Sequence, residues 1–220
     1  SYTAAAQMFA EGKVDGMFSG SGVAGILLMK KTAYPIVRPV GKSGTSTYWA
    51  VVVAPKGAPK FDGGAAYFKG KRIALCALAS SGEFYLRSIP GAAQAAAQVK
   101  IVESHGAALD AAKNGQADIA IVKNLVWNDV RARYGELEQV GNDYGQNPND
   151  ALMISSKSDK QFVKKLIDAL IGLKAESSPE AVAAREGLGI MGYIMTNPGD
   201  FSHTMELLSR AGVGPDYDLK

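Results

Sequence analysis

Strand-like and helix-like segments alternate along nearly the whole chain, and this alternation limits the architecture more than any other feature. Val14–Phe18, Pro35–Gly41, Thr47–Ala54, Arg72–Leu78, Val99–Glu103, Asp118–Val122, Leu137–Val140 and Ala151–Ser155 read as strands. Helical stretches precede, separate and follow them: Ser1–Ala10, Val23–Lys30, Ala92–Gln98, a run opening at His105, and Leu125–Tyr134. Strands separated by helices imply an α/β fold, with mixed, mostly parallel sheets flanked by helices.

Two passages break the rhythm. Pro55–Gly64 holds three Gly and two Pro, and Gly141–Asn149 is rich in Gly, Asn and Pro. Such composition marks connections. Taken as crossings, they predict two lobes with a ligand cleft between them. Residues 1–54 and 151–220 form a discontinuous first lobe, and residues 55–150 form the second.

Helix starts carry their own signals. Ser80 followed by Glu83 is a capping box, as is Ser158-Asp159-Lys160-Gln161. Ser104 precedes a helix whose first residue is His105, Asn124 is placed to cap the next, Ser178-Pro179 opens another, and Asp200 caps the last.

Composition excludes several classes. The 220 residues include 24 Lys+Arg and 21 Asp+Glu, a formal charge of +3, with 47% hydrophobic residues. That suits a buried core rather than disorder, and the charge is too small and scattered for a nucleic-acid binder. The single cysteine, Cys76, lies in an apolar run and reads as a small core residue. His105 and His203 are far apart without Cys partners, so no metal and no other cofactor is expected. The longest apolar stretch, Gly22–Met29, falls well short of the roughly 18–20 residues a membrane span needs. The N-terminal residues read as a helix already under way, so a preceding segment is expected to be missing.

In open α/β sheets, ligands bind beyond the carboxyl ends of the strands. Four junctions there carry small or polar residues: Ser19-Gly20-Ser21, Ala79-Ser80-Ser81-Gly82, Ser104-His105 and Lys123-Asn124. Helix starts offer free backbone N–H groups and a positive dipole end, which suit an oxyanion. Each, taken singly, reads first as an ordinary cap, Ser80 above all because Glu83 completes its box. His105, at a helix start, is either a hydrogen-bond donor to an anion or an exposed side chain without a role. Tyr48 and Trp49 are either ligand contacts or walls, Tyr144 suits a wall or lid, and His203 reads as a surface residue.

The ordered set of motifs resembles the phosphonate/phosphate-type substrate-binding proteins of ABC importers, which have the type 2 periplasmic binding protein fold. Phe9-Ala10-Glu11-Gly12-Lys13-Val14-Asp15-Gly16 is similar to the family's helix–Gly–x–Val–Asp entry into a strand. Thr47–Val53 is similar to its crossing strand, and Phe68-Lys69-Gly70-Lys71-Arg72-Ile73-Ala74 to its recurrent Lys-Gly-Lys-Arg element. Ala79–Gly82 is similar to its phosphate loop, with Ser81 where Thr is usual. Ser104-His105 with Ala111–Asp118 matches a further stretch, and Asn147–Asp150 the return segment.

The resemblance implies a two-lobed protein that binds phosphate, phosphite, phosphonate or a similar small oxyanion without catalysis and delivers it to a membrane permease. It implies a monomeric, periplasmic or extracellular location, with or without a lipid anchor. Ser80, Ser81, Gly82, His105, Tyr48 and Asn124 would hold the ligand, with Ser19 and Ser21 from the other lobe. The family begins with a strand and helix that lie before Ser1. Its aminophosphonate binders carry carboxylates where this chain has Lys123-Asn124-Leu125-Val126-Trp127, which argues against an amine-bearing ligand. The alternatives are a sensory module of the same fold, separable by gene neighbourhood, and an enzyme using Ser80 or Ser81 with His105, for which no orienting acid is evident.

Overall fold

The computed structural model describes residues 2–76 and 80–218. The readings of Ser1 as helix, of Ala77 and Leu78 as strand and of Ala79 as loop lie outside them. The chain opens with α1 (Tyr2–Ala10), β1 (Gly16–Ser19), α2 (Ser21–Met29), β2 (Ala33–Gly41), β3 (Thr47–Tyr48) and β4 (Ala50–Pro55). There follow β5 (Arg72–Cys76), α3 (Ser81–Ser88), α4 (Ala92–Ala95), β6 (Gln98–Val102), α5 (His105–Lys113), β7 (Ile119–Lys123) and α6 (Asn124–Val130). The last stretch holds β8 (Leu137–Asn142), β9 (Asn147–Pro148), β10 (Ala151–Ser155), α7 (Lys160–Gly172), α8 (Pro179–Leu188), β11 (Ile190–Met195) and α9 (Ser202–Arg210). β3 and β9 pair as a two-stranded ribbon.

The chain folds into two compact units. Unit 1 comprises the chain up to Thr47, Asn147–Thr204 and the chain from Gly214 on; unit 2 comprises Tyr48–Gln146 and Met205–Val213.

Unit 1 has a four-stranded sheet in the order β1-β10-β2-β11, and all its pairings are antiparallel. The expectation of a mostly parallel sheet does not hold here. Alternation along the chain says that strands and helices interleave, not which strands pair. β10 and β11 come from the distant second half and lie beside β1 and β2 in the opposite sense. The amphipathic helix α7 covers this sheet, with Val163, Leu166 and Leu170 packed on Ile36, Val37, Ile154 and Tyr193. Helix α2 is apolar all round and correspondingly buried, with Val23, Ala24 and Ile26 fully so. Strand β11 escapes the sequence reading; it is a short apolar run between Gly189, which closes α8 at φ +67°, and Asn197-Pro198.

Unit 2 has a five-stranded sheet in the order β6-β5-β7-β4-β8. β5 is parallel to β6 and β7, while β4 is antiparallel to β7 and β8. Four strands therefore point one way and β4 the other. Ala50, Val51, Val52 and Val53 are fully buried, so this run needs cover on both faces and takes an interior place. β4, expected to end the first lobe at residue 54, thus belongs to the sheet of unit 2. The core on one face gathers Val51, Val53, Leu109, Ala112, Val122 and Trp127. At the sheet's other end Arg72 forks onto Asp118 at 2.7 and 3.2 Å, joining the starts of β5 and β7.

Several caps differ from expectation by a residue or more. Asp159, not Ser158, caps α7 by accepting from Phe162 N at 2.8 Å, since its carboxylate suits the positive helix end better than a hydroxyl. Asn197 caps a short 3-10 turn in a box with Asp200, ahead of α9. Cys76 is only partly buried, at the end of β5.

Candidate ligand-binding site

In unit 2 the strand directions bring the predicted junctions together. β6, β5 and β7 are adjacent and parallel, and their carboxyl ends lead into α5, α3 and α6. Trp49 precedes the start of the reversed strand β4, and Asn142 ends β8, so both lie on that same edge. Neighbouring strands are spaced by about 4.8 Å, which puts these turns side by side.

The α3 junction is built by two serines with different tasks. Ser80 is the N-cap: its hydroxyl accepts from Glu83 N at 3.2 Å and donates to the Cys76 carbonyl at 2.7 Å. Ser81, the first helical residue, is 6% exposed, and among the described residues its hydroxyl has no bonding partner. Gly82 has a packing task, since a Cβ there would lie 2.7 Å from the carbonyl oxygen of Ile121. Its lack of a side chain seats the start of α3 directly on β7.

At the α5 junction Ser104 accepts from Ala107 N at 3.0 Å, and His105 is the first residue of the helix. The His105 ring is half-buried, with Nδ1 shielded from solvent. His203 is also half-buried rather than a plain surface residue, on α9.

Asn124 does not cap α6. Lys123 occupies the N-cap position, and Asn124 is the first helical residue, 3% exposed. Its Oδ1 accepts from Trp49 N at 3.0 Å, and its own N–H donates to the Trp49 carbonyl at 3.0 Å. Tyr48 is 4% exposed, and the Lys123 ammonium sits 4.4 Å from its ring centroid. Tyr48 is thus buried with a cation over its ring. Lys123 is the charge at this junction, and its place over the Tyr48 ring is not evident from the local sequence.

Beside this edge, wholly within unit 2, is a polar pocket of about 260 Å³. Trp49, Asp143 and Tyr144 line it together with carboxamides from Asn124, Asn128 and Asn142. Gln139 and Gln146 complete the lining. Tyr85 fixes the end of β8 by donating from its hydroxyl to the Asn142 carbonyl at 3.0 Å. Burial, reinforced by Asp143, pushes the Tyr85 hydroxyl well above its ordinary range, so it stays a donor. Apart from Asn124, Trp49 and Tyr144, these residues were not singled out in the sequence. The available signal was Asn124 and Asn128, four apart on one helix face.

Unit 1 carries the remaining predicted residues. Ser19 ends β1 with its hydroxyl buried, and among the described residues that hydroxyl has no hydrogen-bond partner. Ser21 begins α2 and is 2% exposed, behind an N-cap glycine, Gly20, whose position offers no side-chain cap.

Residues 1–201 match the family of the phosphonate periplasmic substrate-binding protein of ABC transporters. The chain belongs to that family. No curated protein matches it. Among solved structures, XAC2383 from Xanthomonas citri, determined bound to ATP, is 15% identical with a TM-score of 0.78, covering 96% of this chain and 82% of that one. PhnD1 from Prochlorococcus marinus, in complex with methylphosphonate, is 15% identical with a TM-score of 0.76, covering 96% and 83%. A binding-protein component of an ABC phosphonate transporter from Pseudomonas aeruginosa is 16% identical with a TM-score of 0.71, covering 96% and 73%. These likenesses give the fold of this substrate-binding protein as that of the two-lobed periplasmic binding proteins. As a family member it is an extracytoplasmic receptor that takes a small ligand and serves a membrane permease. Among the described residues no helix is long and apolar enough to cross a membrane.

Proposed function

We propose that this binding protein captures a phosphonate, phosphate, phosphite or similar small oxyanion for import, as a monomer and without turnover. The observation that carries the reading is the pairing of α3 and α5. Two helices of eight and nine residues begin beyond adjacent parallel strands, each capped by a serine, with Ser81 and His105 at their first positions. First-turn N–H groups and dipole ends from both favour an anion. Lys123 adds a positive charge at the next strand end. Gly82 and Asn124 shape the site rather than bond the ligand through a side chain and a cap.

Binding without chemistry is supported by the state of Ser80. Its hydroxyl is committed to a carbonyl and an amide N–H, so it is not held as a nucleophile. A location in the periplasm or at the cell surface, with or without a lipid anchor, accords with family membership.

Calorimetry with methylphosphonate, phosphate, phosphite and sulfate tests the reading. At least one phosphorus oxyanion is expected to bind with low-micromolar or better affinity, and Ser81→Ala and His105→Ala are each expected to weaken it. Absence of binding by every anion of the panel would overturn it.

A further inference from the structure

The pocket beside the oxyanion site is lined in a way that the capture of a bare anion leaves unexplained. Its volume of about 260 Å³ is the share of roughly nine liquid waters. Five of its eight lining residues bear carboxamides, one bears a carboxylate and two are aromatic. We propose that this pocket selects a neutral, hydroxyl-bearing substituent, of the polyol type, attached to the phosphorus head. The inference rests on the oxyanion reading above and adds the class of the organic group.

The decisive residue is Asn124. A backbone N–H can only donate, so the atom facing Trp49 N is the carboxamide oxygen, and the nitrogen turns the other way. That side chain is 97% buried by the 3% exposure of its residue, and among the described residues its amide nitrogen has no partner. Asn124 lines the pocket, so this fixed donor is left for an occupant. An ammonium group has only donors and cannot accept from it; an alkyl group would leave it desolvated and unbonded; a hydroxyl both accepts and donates.

The neighbours extend the same chemistry. Asn128 lies one turn further along the same face of α6 and presents both donors and an acceptor. Asn142 is already spent in part, bonding the Asp143 carbonyl at 2.9 Å and accepting from Gln139 at 3.3 Å. Asp143 is 5% exposed and accepts from Gly145 N at 3.2 Å, which fixes its carboxylate in the lining. Trp49 is partly buried while Tyr144 is 93% exposed, so one ring is fixed and the other is free to cover the carbon face of a polyol.

The test is calorimetry with methylphosphonate, propylphosphonate, 2,3-dihydroxypropylphosphonate and 3-aminopropylphosphonate, compounds that share one head. The diol is expected to bind about tenfold or more tightly than both the propyl and the aminopropyl compound, the effect of one or two well-made hydrogen bonds. In Asn128→Ala that advantage shrinks, and in Asn128→Asp the preference moves toward the aminopropyl compound; Asn128 is exposed, so neither change disturbs the core. Propyl binding as tightly as the diol, or the aminopropyl compound binding most tightly to the unaltered protein, overturns the inference while the oxyanion reading stands. Failure of all four compounds, with phosphate and phosphite also inert, overturns both.

Discussion

Asn124 and Trp49 hold each other by two hydrogen bonds of 3.0 Å, one through the carboxamide oxygen of Asn124 and one through its backbone N–H. The clip joins the start of α6 to the residue before β4, so the floor of the pocket and the last turn of the sheet edge are a single unit. Asn124→Ala removes the acceptor for Trp49 N. The expected loss is about 1–3 kcal/mol of stability, the cost of stranding a partly buried donor. Urea denaturation measures it, and a change within error would show that the clip is not holding the edge.

The two serines at α3 are predicted to separate cleanly. Ser80→Ala removes a cap and is expected to cost about 1 kcal/mol of stability. Ser81→Ala removes a hydroxyl without a bonding partner, so the melting temperature should hardly move while oxyanion affinity falls by roughly tenfold, the worth of one hydrogen bond to a charged group. Paired melting and titration experiments distinguish the two.

Gly82→Ala tests the seating of α3 on β7. The new methyl would lie 2.7 Å from a backbone oxygen that has no flexible end to move aside. A destabilisation of about 1–3 kcal/mol is expected from overpacking, together with weaker binding as the helix start lifts from the edge. Wild-type melting in this variant would contradict the close approach.

Much of this edge was legible in the chain. The Ser80/Glu83 and Ser104/His105 signals are local, because a cap is decided by a few consecutive residues, and both helices begin where those signals put them. What local pattern does not carry is pairing. The run Ala50–Val53 reads as a strand wherever it sits, but its membership of the sheet of unit 2 depends on β7 and β8, roughly 70 and 90 residues further on. The same limit hid the antiparallel order of unit 1. Asn124 looks like a cap from its neighbours alone for a related reason: its partner, Trp49, is remote in sequence, and a side chain bonded at a distance leaves no local trace.

The Arg72–Asp118 pair makes an acid-range prediction. The hydrogen bond from the Arg72 guanidinium, with its charge, holds the Asp118 carboxyl below its ordinary range despite some burial. A depressed folded-state value means that the carboxylate stabilises the fold above its unfolded pKa of about 3.9, and that this contribution is lost as pH falls through the lower folded value. Melting temperature should therefore drop more steeply below about pH 4 in the unaltered protein than in Asp118→Asn. Both side chains are more than a third exposed, so the difference is expected to be modest. Parallel acid profiles would show that the pair contributes nothing.

The most direct measurement is a crystal structure of the protein grown with methylphosphonate. The account predicts phosphonate oxygens within about 2.7–3.1 Å of backbone N–H groups in the first turn of α3, with the Ser81 hydroxyl and the His105 ring also in bonding range. A ligand seated elsewhere, with those two helix starts untouched, would contradict it.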